Sequence, residues 1–161
     1  EQATELEIEK VLKEVRQRLL LGQARCGKWK FLEAAGFAPG FLKTYRRAER
    51  CGREAEAKPS ALKFHVWRKR VKYHGFHLKL LRDMEFAARR LEAVEALGKL
   101  LGTAHDLAVL EEWAKANGVE KASRQSLRAR RRQLEQEALE AGIPLFAHGI
   151  QVLSEGLNLT S

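Results

Sequence analysis

Residues 62–82, LKFHVWRKRVKYHGFHLKLLR, carry most of the candidate chemistry of the chain. At 100° per residue, a helix here would place one histidine, four cations and one aromatic side chain on the same side. These residues are His65, Arg68, Lys69, Lys72, Phe76 and Lys79. Between Ala61 and Arg82 the chain has seven Lys or Arg and no Asp or Glu, so this segment cannot neutralise the row itself. Like charges on adjacent helical turns repel, and a polyanionic ligand would relieve that repulsion.

A second basic run precedes this one and keeps the spacing i, i+3, i+4, i+7. Its members are Lys43, Arg46, Arg47 and Arg50. For both runs two interpretations stay open. The cations either form a solvated face with carboxylate partners on neighbouring helices, which adds little stability, or they bind an anionic polymer. His65 is likewise open between a ligand contact and helix packing, whereas His105 beside Asp106 is typical of a helix start.

The sequence lacks the motifs of the common nucleotide-binding and zinc-dependent enzymes. Neither GxxxxGK[ST], GxGxxG nor HExxH occurs. Phosphate-transfer enzymes hold Mg²⁺ with carboxylates, and the basic faces have none. His74 and His77 share one helical face, but no Cys, Asp or Glu joins them there, so packing is the expected role. We therefore expect binding without catalysis, and no metal or cofactor.

Composition predicts a helical domain with an anionic partner. The chain has 161 residues, a net charge of +9 and an isoelectric point near 9.8, and it is poor in the Val, Ile and Thr that sheets need. Cys26 and Cys51 fit no metal or disulfide pattern, which indicates free thiols and a reducing compartment. No apolar run is long enough for a membrane span. We expect one domain over residues 1–161 and a cytoplasmic location.

Helical periodicity and punctuation by Gly, Pro and Ser predict an antiparallel bundle of six to seven helices. The central helix begins after Pro59 and Ser60 and buries a stripe that starts at Phe64 and Trp67. The expected segments are Thr4 to Ala24 or beyond, a helix starting near Pro39, the central helix, Phe86 to Leu101, Ala104 to Asn117, Glu120 to Ala141, and Pro144 to Leu157. Gly102, Gly118 and Gly142 are read as the stops between the later helices.

Three stretches together resemble the CHAD family, the conserved histidine α-helical domain, and in particular the second half of such a domain. They are GFAPGFLKTYRRAE, FHVWRKRVKYHGFHLKLL and LGKLLGTAHDLAVL. The resemblance is best over residues 36–110. It implies an all-helical fold in which two related bundles line a basic groove that binds inorganic polyphosphate. Members of the family carry a comparable histidine helix in each half, and only one HxxRKxxK run occurs here. The first half is therefore missing, cut off or unrecognisable, and self-association or a partner half-domain could complete the groove.

By that resemblance the groove residues come from two successive helices. The central helix would supply His65, Arg68, Lys69 and Lys72, and the preceding helix Tyr45, Arg46 and Arg47. We complete the predicted site with Lys79, Arg50 and Lys28, whereas His148 is a weakened contact at most.

The resulting hypothesis is a non-catalytic polyphosphate-binding module, with polyphosphate granules as a location. The alternative is a nucleic-acid-binding helical protein, which would expose aromatic rings among the cations for base stacking. Trp29, Trp67 and Trp113 fall on apolar stripes, and only Phe76 and Tyr45 lie near the basic faces.

Overall fold

A computed structural model describes residues 2–26 and 34–147 of the chain. Within these ranges all regular structure is helical and no strand occurs, which confirms the predicted all-α class. Five helices are described, where we predicted six to seven. They are α1 (Gln2–Cys26), α2 (Ala34–Ala57), α3 (Ala61–Leu80), α4 (Glu85–Ala116) and α5 (Lys121–Ala147). None of the described helices is long and apolar enough to cross a membrane.

The chain divides into two compact units, residues 1–33 and residues 34–161. The first unit contains α1, which ends at Cys26, in agreement with the predicted end at Ala24 or beyond. Its apolar side chains are exposed, for example Leu12 and Leu19. The second unit contains α2 to α5 and the hydrophobic core. The prediction of one domain over the whole chain stays a prediction.

The second unit is an antiparallel ring of four helices, in which α2 packs on α3, α3 on α4, α4 on α5 and α5 on α2. Short connections of three to four residues join the helices, so consecutive helices run in opposite directions. Side chains from all four helices meet in the core, with Phe41, Trp67, Leu97 and Phe146 buried.

Helix α3 begins where Ser60 provides a cap, as the sequence predicts. Ser60 is extended (φ −159°, ψ 151°), and its Oγ accepts a hydrogen bond of 3.3 Å from the Lys63 backbone N–H. The predicted stripe is buried at Phe64, Trp67, Val71 and Leu78, and Leu81 is partly buried.

Two predicted helix boundaries are wrong because glycine was read as a stop. Helix α4 continues through Gly102, and the Thr103 hydroxyl donates to the Lys99 carbonyl one turn earlier, at 3.2 Å, instead of capping a new helix. Helix α5 continues through Gly142 and Pro144. A Cβ at Gly142 would lie 2.6 Å from Cζ2 of Trp67, so this glycine makes room for the indole. The predicted segment beyond Ala147 lies outside the described residues.

Helix α2 also differs from its prediction, since it starts at Ala34 and contains Pro39 in its interior. Proline lacks the N–H that would bond one turn back, so the helix forgoes that one bond near its start. The stop at Gly118 is confirmed: its φ of +70° is left-handed, a conformation that glycine adopts without cost.

Candidate functional site

An open cleft of about 320 Å³ lies between α3 and α4. Because the two helices are antiparallel, the outward turns of α3 face the middle of α4. The cleft is lined by Arg68, Val71, Lys72, Gly75, Phe76, Lys79, Val94, Glu95, Gly98 and Lys99. Cations from both helices form its rim. We call it the α3–α4 cleft.

Small residues shape the floor of this cleft. A Cβ at Gly75 would lie 3.3 Å from Cγ1 of Val94, so α3 and α4 approach closely there. A Cβ at Gly98 would meet nothing within 4 Å, which means that the space above Gly98 is open. With Val71 and Val94 buried beneath, the floor is apolar although the rim is charged.

The side chains that line the cleft carry a net positive charge. Glu95 is its one lining carboxylate, and its Oε1 lies 2.7 Å from Nζ of Lys79. The hydrogen bond and the charge of Lys79 hold the pKa of Glu95 below its ordinary value. Within residues 2–26 and 34–147, Arg68, Lys72 and Lys99 form no ion pair. Three unpaired cations from two helices thus face one opening.

His65 lies one turn before Arg68 on α3 and stacks on His105 of α4. The two ring centroids are 4.3 Å apart with an interplanar angle of 37°. Nδ1 of His65 is buried and has no hydrogen-bond partner among the described residues. Burial, followed by the charges of His105, Lys69 and Arg68, lowers the pKa of His65. A bound anion would oppose the effect of these cations and favour protonation of His65.

Tyr45, predicted in the groove, lies instead in the core with 1% of its surface exposed. Its hydroxyl donates to the Phe146 carbonyl, and its ring packs edge-on against His74 with centroids 5.5 Å apart. The guanidinium of Arg90 lies over the same ring, 5.5 Å from its centroid. Tyr45 joins α2 to α5 and is not accessible to a polymer, which corrects the prediction.

The predicted cations of α2 do not join the α3–α4 cleft. Arg46, Arg47 and Arg50 are exposed, and by helical periodicity they point away from the core-facing Phe41 and Tyr45. Arg50 approaches the carboxylate of Glu54 to 3.6 Å. Lys69 of α3 is exposed but does not line the cleft, and Lys28 lies outside the described residues.

His74 and His77 pack against α2 and the core. His74 is fully buried among rings of Phe41, Tyr45 and Phe146, and burial, with the nearby Arg90 and His77, lowers its pKa from 6.5 to about 3. Nδ1 of His77 lies 3.0 Å from the Thr44 hydroxyl. In the described part of the chain, no three His, Cys, Asp or Glu side chains are grouped closely enough to hold a metal ion.

A second basic region lies between α4 and α5, and two of its arginines, Arg128 and Arg131, are paired with carboxylates. Nε of Arg131 is 3.2 Å from Oε2 of Glu111, and its Nη1 is 2.6 Å from Oε1 of Glu135. Arg128 donates through Nε to the other oxygen of Glu111 at 2.6 Å. Burial raises the pKa of Glu111, but the hydrogen bonds from Arg128 and Arg131 outweigh it and lower the pKa. We call these four residues the α4–α5 ion cluster.

Sequence reasoning missed Lys99. Once α4 is read as one continuous helix, Glu95, Gly98, Lys99 and Gly102 follow at i, i+3, i+4 and i+7 and form one narrow face. Two of these four residues are glycines, which leave open space between the side chains of Glu95 and Lys99. This spacing is visible in the sequence, but reading Gly102 as a helix end separated it from the other three residues.

No curated protein and no solved structure matches the chain. The family model described as "CHAD domain" matches residues 2–115, which is most of the chain and includes both walls of the α3–α4 cleft. The match confirms the resemblance seen in the sequence, and the chain belongs to the CHAD domain family.

Proposed function

We propose that this chain binds inorganic polyphosphate, without catalysis, along the α3–α4 cleft. CHAD domains are associated with polyphosphate binding in general. The single observation that carries the proposal for this chain is the charge of the cleft. Arg68, Lys72 and Lys99 come from two helices, face the same opening and form no ion pair within the described residues, although the charge of Lys99 also acts on Glu95.

The chemistry of the polymer fits such a rim. Polyphosphate offers a row of negative oxygens and no base edges, so recognition rests on repeated charge-assisted hydrogen bonds. An arginine side chain donates hydrogen bonds to two phosphate oxygens at once, and lysine ammonium groups adapt to a flexible chain. Lys79 would exchange Glu95 for phosphate, and His65 would add a hydrogen bond at the end of the row.

The set of contacts in this proposal is smaller than the family resemblance implies. Arg68, Lys72, Lys79 and Lys99 are the main contacts, with His65 beside them. Lys69 is exposed on the same helix and adds long-range attraction. A second copy or a partner half-domain could complete the binding surface, and a location at polyphosphate granules would follow from the binding itself.

The test is a binding titration of long-chain polyphosphate and of single-stranded DNA with the same total charge, over a salt series. We expect tighter binding of polyphosphate at every salt concentration. The logarithm of the binding constant should fall steeply with the logarithm of salt, by roughly 0.7 for each neutralised phosphate if the polymer behaves like a single strand. Equal or tighter binding of DNA would overturn the proposal in favour of the nucleic-acid alternative.

A further inference from the structure

The floor of the α3–α4 cleft has a property that a pure phosphate polymer does not use. Val71, Gly75, Val94 and Gly98 line it without any charge, and Phe76 stands at its edge with 48% of its surface exposed. An exposed aromatic ring in water gains from contact with another flat apolar group. Polyphosphate has no such group, so the rim and the floor together also fit a second kind of ligand, one that carries both phosphates and a flat apolar group.

We propose that the cleft also binds nucleoside triphosphates, with the base on the apolar floor beside Phe76 and the triphosphate along Arg68, Lys72 and Lys99. The inference rests on the proposed function, because it uses the same cations. A volume of about 320 Å³ lies at the small end of the range of about 300–1,000 Å³ that is typical of small-molecule sites. One base fits such a space, whereas a stacked strand of nucleic acid does not.

The position of Lys72 supports this arrangement. Its Nζ lies 5.7 Å from the centroid of the Phe76 ring, so the ammonium group and the aromatic face belong to the same patch. A ligand that stacks its base on Phe76 brings its phosphates within reach of Lys72 and of Arg68, one turn earlier. Lys99 on the opposite wall can contact the same phosphates.

Gly98 makes a sharp test available. A leucine there would enter the open space above the floor without meeting any neighbouring atom at its Cβ, and leucine is a better helix former than glycine. Gly98→Leu should therefore fold normally, keep the cationic rim and fill the space for the base. Gly40→Leu is the matched control, because Gly40 is also helical, has open space around it and lies on α2.

The experiment compares adenosine triphosphate with inorganic tripolyphosphate by calorimetric titration in the presence of a chelator. The two ligands share the triphosphate and differ in the nucleoside. We expect the wild-type protein and Gly40→Leu to bind adenosine triphosphate about tenfold more tightly than tripolyphosphate, the gain typical of stacking one base. In Gly98→Leu and in Phe76→Ala that advantage should vanish, so that the two ligands bind each variant with affinities within about twofold of one another.

The possible results separate this inference from the proposed function. Equal affinities for the two ligands in the wild-type protein, or an advantage that survives in Gly98→Leu, would overturn the inference and leave polyphosphate binding intact. If adenosine triphosphate binds through the cleft but long-chain polyphosphate does not bind, the proposed function fails and the nucleotide site stands.

Discussion

The α3–α4 cleft and the α4–α5 ion cluster are both rich in basic side chains, yet their cations have different surroundings. In the cluster, Arg128 and Arg131 meet the carboxylates of Glu111 and Glu135 at hydrogen-bond distance. In the cleft, Glu95 pairs with Lys79 and is also attracted by the charge of Lys99, whereas Arg68 and Lys72 form no ion pair within the described residues. The comparison teaches that arginines in ion pairs with largely buried carboxylates hold helices together. Cations without an ion pair on an open rim are suited to binding a ligand.

The cluster should carry the largest effect on stability. Glu111 and Arg131 each have 14% of their side-chain surface exposed, so removing the charge of Glu111 leaves two arginines without their shared partner. We expect Glu111→Gln to lower the free energy of unfolding by roughly 3 kcal/mol. Urea denaturation measures this, with Glu54→Gln as the control, because the exposed Arg50–Glu54 pair should contribute less than about 1 kcal/mol.

The comparison also requires that Glu111→Gln leave ligand binding alone. Under conditions where the variant is fully folded, its affinity for polyphosphate should equal that of the wild-type protein within about twofold. A large loss of affinity would show that the cluster takes part in binding and would break the distinction between the two regions.

The cleft should carry the largest effect on binding. Replacing Arg68, Lys72 and Lys99 together by alanine removes about 1 kcal/mol per cation, so we expect roughly a hundredfold loss of polyphosphate affinity at moderate salt. The salt dependence should also become shallower by about two units of slope. Unfolding should change little, since none of the three forms an ion pair within the described helices. Isothermal titration across a salt series measures both quantities.

A charge-matched variant on α2 controls for net charge. Replacing Arg46, Arg47 and Arg50 by alanine removes the same three charges from an exposed face outside the cleft. We expect a loss of less than about fivefold, through weaker long-range attraction alone. Equal losses in the two triple variants would mean that binding follows overall charge and not the cleft.

His74 gives a smaller effect on stability, and that effect depends on pH. In the unfolded chain His74 takes up a proton below its ordinary pKa of 6.5, whereas in the folded core its pKa is about 3. The unfolded state therefore binds more protons between these values, and stability falls as the pH is lowered through this range. From pH 7 to pH 5 the loss is about 2 kcal/mol.

The variant His74→Leu should remove most of that pH dependence. Denaturant unfolding at pH 5, 6 and 7 measures it, and His77→Gln is the control because His77 is only partly buried. An unchanged slope in His74→Leu would show that another group is responsible.

His65 should give the smallest effect. Burial and nearby cations lower its pKa in the free protein, and a bound polyanion should raise it, so polyphosphate binding takes up a proton. We expect affinity to rise about threefold more in the wild-type protein than in His65→Gln between pH 7.5 and pH 6. Parallel titrations of both proteins measure this, and identical pH profiles would exclude a contact at His65.

Much of the fold was predictable from residue spacing. Phe64, Trp67, Val71 and Leu78 recur at helical intervals and are buried, and Ser60 caps α3 as expected. Helical periodicity also predicts that Tyr45 is buried, because it lies four residues after Phe41 and three before Ala48 on the core-facing stripe of α2. Tyr45 was assigned to the groove because basic residues follow it in sequence, although consecutive residues in a helix point in different directions.

The second wall of the cleft was not predictable in the same way. Which helix packs beside the basic side of α3 is a tertiary question, and the sequence pattern led us to α2 instead of α4. Gly102 was read as a helix end, but glycine lowers helix propensity by only about 1 kcal/mol, and packing can offset that cost. Lys99 was overlooked for the same reason.

Backbone amide chemical shifts, recorded while polyphosphate is added to the full chain, test the central claim most directly. Binding at the cleft predicts that the largest shift changes cluster at residues 65–79 of α3 and 95–105 of α4, and that residues 43–50 of α2 and 124–135 of α5 change little. Changes centred on the arginines of α2 or α5, with α3 and α4 unperturbed, would contradict it.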